Sequence, residues 1–318
     1  MPNAAPDIVV IGIHIVDILG RPVEAIPEGQ GIAFLDEIRM TVAGTGAGTA
    51  VDLARLGRDV ATFGVVGDDE LGRWLRHKME QEGIDTAGLA IDPSVPTSAT
   101  MLPIRPNGER PALHVIGANA LLSPHHLDWD VIARARYLHI GGTSLMERLD
   151  GEPTAEVLRR AQELGVTTSL DLIGVPASDH EAVFGPCYPH LDHFLPNEED
   201  ALMLAGVDSR EAAIRFFHDR GVAHTVITLG AGGASFAAAG QPETVVPAYR
   251  VEVVDTTGCG DAFSAGYLTG LAEGRDTLAA VELGVAAGSC VATGLGSDAG
   301  LTNRAALDAF MATTARAD

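Results

Sequence analysis

Apolar residues recur along the chain with two different periods, and the way these alternate sets the fold class. Asp7–Gly12 (DIVVIG) is a short β-branched run ending in glycine, the mark of a buried strand. Asp59–Val66 (DVATFGVV) repeats that signal. Thr49–Leu56, closed by Gly57, and Leu71–Glu82, closed by Gly83, carry the longer period of helices. From about Leu127 the alternation becomes regular. Tyr137–Ile140, Thr167–Leu172, His193–Leu195 and Thr225–Leu229 are short apolar strands, interleaved with helical stretches at 154–164, 198–205 and 209–220. The last third is helix-rich, at 260–273, 276–293 and 302–315. Such alternation predicts an α/β body whose parallel sheet is covered by helices on both faces.

Two stretches break the pattern. Residues 13–44 are punctuated by Pro and Gly with short alternating pieces, which suits exposed strands. Residues 94–117 run TSATMLPI, then PNGER, then PALHVI, and Asn107–Gly108 is the best hairpin signal in the chain. The two interruptions, alike in character, predict one small β-sheet standing as a lid over the body, all within a single unit spanning 1–318. His125 and His126 ahead of Asp128 mark a helix start.

Composition narrows the chemistry. The 318 residues carry 21 Lys+Arg against 43 Asp+Glu, a formal charge of −22, with 46 % hydrophobic and 20 % charged residues. That is ample for a core, and it excludes disorder. Lys78 is the only lysine, and no G-x-x-x-x-G-K-[S/T] occurs, so P-loop nucleotide binding is excluded. The acidity argues against a nucleic-acid partner, which needs a basic stripe. A phosphorylated ligand can still be held by backbone N–H groups and helix N-termini. Cys187, Cys259 and Cys290 form no disulfide framework. With no signal-peptide pattern and no apolar run long enough to span a bilayer, no membrane partner is expected and the expected compartment is the cytoplasm.

The chemistry concentrates in Val251–Leu268 (VEVVDTTGCGDAFSAGYL), where a strand runs through two glycines straight into an apolar helix. Gly258 and Gly260 permit a tight turn whose N–H groups converge at a helix N-terminus, an anion hole. Asp261 falls in the first turn of that helix. A carboxylate there can take a proton from an attacking hydroxyl, or it can simply cap the helix.

DTTGCGDAFSAGYLTG resembles the C-terminal signature of the ribokinase-like (PfkB) carbohydrate kinases, and the resemblance extends over nearly the whole chain. Six further stretches fit in order: Gly12–Asp17, the glycine-rich Ala43–Ala50, Val66–Asp69 with Gly72, Gly117–Asn119, Asn197–Asp200 and Leu229–Gly233. The resemblance implies a three-layer α/β/α Rossmann-like body with a β-sheet lid, and transfer of the γ-phosphoryl group of ATP to a sugar or nucleoside hydroxyl. It makes Asp261 the catalytic base, with Gly258, Cys259 and Gly260 supplying anion-hole amides. Asp17, Gly44 and Gly48 would line the sugar site together with Asp261. Asn197, Thr228, Gly230, Gly232, Gly258 and Gly260 would bind ATP. Asn197 and Asp200 would organise Mg²⁺, directly or through water, and Asp255 with Thr257 would hold a monovalent cation such as K⁺. Relatives often pair their lids, which implies a homodimer.

The sequence departs from the family pattern in places. Gly48 stands where relatives often carry a sugar-contacting Asn, Ile15 where ribokinases carry a polar residue, and Asp171 opens DLIG in place of D-x-N-x-R. Three lost polar groups point to a substrate less rich in hydroxyls than a free hexose, and keep a nucleoside open as the alternative; a non-catalytic sugar- or nucleotide-binding homologue is a third reading. Asp200 replaces a glutamate and shortens that carboxylate arm by a methylene. The run GTGAGT at 44–49 lacks the third glycine of a dinucleotide fingerprint, because position 49 is Thr. Cys187, His190 and His193 are interrupted by Pro186 and Pro189 and lack a fourth ligand, so no zinc site is expected. A thiol at a helix N-terminus can be acidic, but for Cys259 only the backbone N–H is expected to function. Arg105 and Arg110 are expected on the solvated face of the lid hairpin.

Overall fold

The computed structural model describes residues 5–106, 109–174, 179–297 and 299–317. Among them the chain forms two sheets. Strands β1 (Ile8–Gly12), β4 (Val60–Gly67), β5 (Asp85–Asp92), β8 (Tyr137–Thr143), β9 (Thr167–Leu172), β10 (His193–Phe194), β11 (His224–Thr228), β12 (Ala234–Ala238) and β13 (Thr244–Val246) make the large one. Its order is β13-β12-β11-β10-β9-β8-β1-β4-β5. From β11 to β5 every pairing is parallel, whereas β12 and β13 add an antiparallel edge. Strands β2 (Ile15–Arg21), β3 (Glu37–Ala43), β6 (Ala99–Pro103) and β7 (Leu113–Val115) form the small sheet, in the order β3-β2-β6-β7. The Asn107–Gly108 turn predicted between β6 and β7 lies outside the described residues.

The helices are α1 (Thr45–Arg55), α2 (Glu70–Gln81), α3 (Trp129–Ile132), α4 (Glu152–Glu163), α5 (His180–Phe184), α6 (Glu198–Ala205), α7 (Arg210–Asp219), α8 (Cys259–Ala272), α9 (Thr277–Val291) and α10 (Arg304–Thr313). No helix among the described residues is long and apolar enough to cross a membrane. Strand period decides which core each side chain enters. Val9 and Ile11 of β1 join one core with Phe63, Leu138 and Leu170, while Ile8 and Val10 join the other with Ala50, Phe263 and Tyr267. Both faces of the sheet are therefore dry, as its continuous apolar strands require. Leu19, Leu102, Ile104 and Leu295 form a third cluster, seating the small sheet on the segment after α9.

Three features differ from the periodicity. Helix α1 begins at Thr45, four residues ahead of the predicted start, because burial of residues 46–53 outweighs the poor helix propensity of Gly46 and Gly48. Strand β5 was not expected: it is the edge of the large sheet, and its burial is mixed where the central strands are continuously buried. The β12–β13 pair turns antiparallel where the pattern predicted only parallel strands: β12 (ASFAA) is too poor in β-branched residues to signal itself.

Candidate active site

The carboxyl ends of the parallel strands open toward the small sheet, the side on which sheets of this kind place their ligands. Asp17 lies on β2, directly opposite Thr100 of β6, and Thr100 lies opposite His114 of β7. Side chains in such a row share one face of the sheet. The Thr100 hydroxyl is 3.1 Å from His114 Nδ1 and is hydrogen-bonded to the Asp17 carboxyl. Burial pushes the Asp17 carboxyl up to about 6; the Thr100 bond opposes this, the Asp255 charge adds to it and Arg110 offsets it. Thr100 and His114 went unnoticed in the sequence, where nothing but the alternation of the small sheet could have flagged them.

Helix α8 supplies the second part. Its N-cap, Gly258, adopts the left-handed conformation (φ 77°) with no side-chain cap. Helices α2, α6, α9 and α10 are instead capped by Asp69, Asn197, Asp276 and Asn303. Among the described residues no side chain caps the first amides of α8, and a β-carbon placed on Gly260 would meet none of their atoms within 4 Å. Asp261 follows in the first turn, buried, its carboxyl pushed up to about 7 by burial and then by the Asp17 charge. A β-carbon at Gly48 would sit 2.6 Å from Asp261 Oδ2, so Gly48 makes room for this carboxylate. Gly44, the N-cap of α1, begins the turn that brings Gly48 there. Burial drives the Cys259 thiol up to about 12, so the helix N-terminus does not make it acidic.

The loop before α8 is tied down by Asp255. Its Oδ1 accepts hydrogen bonds from Thr257 N (3.0 Å), Thr257 Oγ1 (2.8 Å) and Arg110 Nη1 (2.5 Å), and its Oδ2 accepts from Gly296 N (2.8 Å). Arg110 also donates from Nη2 to Thr256 Oγ1 at 2.9 Å. The expectation that Arg110 sits on a solvated face is therefore corrected: it reaches from the small sheet into the site, while Arg105 pairs with Glu109 at 3.2 Å on the exposed side.

Asn197 caps α6 through Oδ1, which accepts from Asp200 N, and its Nδ2 donates to Asp200 Oδ2 at 2.6 Å. Its side chain thus orients Asp200, whose carboxyl is raised by burial. Thr228 ends β11 beside Asn197 in a parallel bridge, and Gly230–Gly232 form an exposed 3₁₀ turn just beyond. Asp171, noted in the sequence only as a departure from pattern, belongs to the site. It is buried at the end of β9 and raised well above the carboxylate range by burial and by Asp261, with Asp200 contributing. Its Oδ2 accepts a 3.4 Å bond from Ser264, and its Oδ1 has no hydrogen-bond partner among the described residues. A charged residue near the end of an otherwise uncharged strand, TTSLDL, was the available signal. Cys187 and His193 are buried apart from this site, and His193 is bonded to Tyr267 at 2.9 Å and stacked on His224.

The chain matches the pfkB family carbohydrate kinases over residues 5–304, and it belongs to that family. It is 32 % identical to the ATP-dependent ribose-1-phosphate kinase of Halopiger xanaduensis, over 85 % of this chain and 86 % of that one. The ribokinase of Thermotoga maritima superposes with a TM-score of 0.83 at 25 % identity, covering 97 % of this chain and 100 % of that one. The Arabidopsis thaliana ribokinase complexed with ribose and ATP also gives 0.83, at 22 % identity, covering 97 % and 99 %. The protein is a phosphotransferase with an alcohol acceptor, a sugar kinase of ribokinase fold.

Proposed function

We propose that the chain transfers the γ-phosphoryl group of ATP to a hydroxyl of a sugar or sugar derivative, with Asp261 as the base. The observation that carries this reading is the pairing of an α8 N-terminus without a side-chain cap with a buried carboxylate in its first turn, within reach of the Asp17 charge. The acceptor oxygen bonds to the γ-phosphorus as the bond to the ADP oxygen breaks, and its proton passes to Asp261. Amides of Gly258, Cys259 and Gly260 take up charge on the transferring group, which is most of what phosphoryl transfer asks of a protein.

The row Asp17, Thr100 and His114 supplies hydrogen-bonding groups for the acceptor's other hydroxyls, with Gly44 and Gly48 lining the same end. Thr228 and the open turn at Gly230 and Gly232 offer backbone to the nucleotide. Asp200, held by Asn197, and the unpartnered oxygen of Asp171 fit Mg²⁺, a hard cation that prefers such oxygens and keeps several waters. When bound with ATP, Mg²⁺ neutralises charge on the triphosphate. Asp255 and Thr257 do not fit K⁺ in this arrangement, because both carboxylate oxygens are engaged and one faces a guanidinium.

Closure of the small sheet as a lid, formed by approximately 13–44 and 94–117, excludes water from the reacting atoms. Its outer face carries Ile38, Met101, Leu113 and Val115, all more than half exposed, a strip that suits a second copy of this chain. The test is ADP release on a panel of ribose, ribose 1-phosphate, fructose and adenosine. A sugar or sugar phosphate as preferred acceptor supports the reading, and preference for adenosine moves the protein to nucleoside kinases. No acceptor-dependent ADP release contradicts it.

A further inference from the structure

Arg110 stands in the connection between β6 and β7, 145 residues from Asp255 in sequence, yet its guanidinium bridges Asp255 Oδ1 and Thr256 Oγ1. Asp255 is nearly fully buried (2 % side-chain exposure), and Arg110 is 29 % exposed, so this pair is far better shielded than the surface ion pairs of the molecule. Asp255 also accepts from Thr257 and from the Gly296 amide, and the next residues are the Gly258 turn and the α8 amides. One guanidinium therefore joins the small sheet to the loop that shapes the anion hole. Three carboxylates, Asp17, Asp255 and Asp261, crowd this end of the site, and Arg110 is the cation acting on Asp17. A planar fork with fixed donors suits a bridging role that a spherical ion would fill without direction.

We propose that Arg110 is a positioning residue that occupies the cation position at Asp255, so that docking of the small sheet, and not a bound alkali ion, fixes the Asp255–Gly260 loop. The proposal rests on the kinase reading for its kinetic consequence and on geometry alone for its structural one. Lid closure and assembly of the anion hole become one event: when the small sheet lifts, Asp255 loses a charged donor and the loop loses its tie. Turnover of the intact protein then needs no K⁺, and removal of the guanidinium opens a place for it.

The test compares the full chain with Arg110→Gln and Arg110→Lys in KCl and in tetramethylammonium chloride at equal ionic strength. The intact protein is expected to change less than about twofold between the salts, and Arg110→Gln to lose at least about tenfold in kcat/KM, the loss expected when one partner of a shielded charge pair is removed. KCl is expected to restore part of that loss, and Arg110→Lys to keep more activity than Arg110→Gln. Activation of the intact protein about tenfold by KCl overturns the proposal, as does an Arg110→Gln variant with unchanged kinetics. Amide hydrogen exchange without substrates gives a second readout. In Arg110→Gln, exchange is expected to quicken together at 109–117 and 254–260, with β1 and β8 unchanged as proof of folding. Unchanged exchange at both segments overturns the proposal. A chain that phosphorylates nothing overturns the kinase reading, and the exchange experiment still decides the role of Arg110.

Discussion

The carboxylate of Asp261 lies against the backbone of Gly48: a β-carbon there would stand 2.6 Å from Oδ2, closer than side-chain carbons approach oxygen. The missing side chain at position 48 is thus a feature of the base's own position. Gly48→Ala is expected to push the carboxylate off its line to the acceptor and lower kcat by roughly 10- to 100-fold, since small displacements of reacting groups cost that much. KM for ATP should change little. Steady-state kinetics with both substrates varied check this, and an Ala variant with full turnover contradicts the placement.

Asp261 acts as a base only when ionised. With its carboxyl raised to about 7, kcat/KM for the acceptor is expected to rise with pH up to about 7 and level off above it. A profile flat from pH 5 to pH 8 contradicts this.

The same shift makes a stability prediction of definite sign. The carboxyl's folded-state value lies above its unfolded one, about 3.9. Below pH 4 both states hold the proton and there is no penalty. Between about pH 4 and about pH 7 the unfolded chain ionises first, so stability falls as pH rises, and above about 7 the penalty is constant. Asp261→Asn is therefore expected to stabilise the protein more at pH 8 than at pH 5, by roughly 2 kcal/mol, read from urea unfolding at the two pH values. Equal effects at both contradict the raised carboxyl.

Cys259 contributes its amide and not its sulfur. A thiol pushed up to about 12 carries almost no thiolate at pH 8, so alkylating reagents should leave it unmodified in the folded protein. Cys259→Ala should keep kcat within about twofold, because the backbone donor survives the substitution. A loss of more than about tenfold, toward the roughly 10²- to 10³-fold of a missing anion-hole donor, contradicts it.

What the sequence disclosed follows from the range of each interaction. The start of α8 and the place of Asp261 were legible because glycine turn and helix are contiguous in DTTGCGD; the strand expected ahead of them is absent, since β13 ends at Val246 and 250–257 form an irregular loop. The buried strands were legible because both faces of the sheet are dry and the runs are continuously apolar, as in β1. Strand β12 was not, since its Ala-rich residues owe their strand conformation to β11 beside them. Nor was Arg110, whose neighbours look like a solvated hairpin and whose partner is 145 residues away. Asp171 was seen only as a mismatch in a motif, because its role depends on α8 and α6 bringing Asp261 and Asp200 beside it.

Asp261→Asn removes the base and keeps the size of the side chain. With the acceptor found by the ADP-release panel, the variant is expected to lose roughly 10²- to 10⁴-fold in kcat, the usual contribution of a positioned base, while binding ATP with an affinity close to that of the intact chain by calorimetry. An Asn variant that turns over at the intact rate contradicts the account.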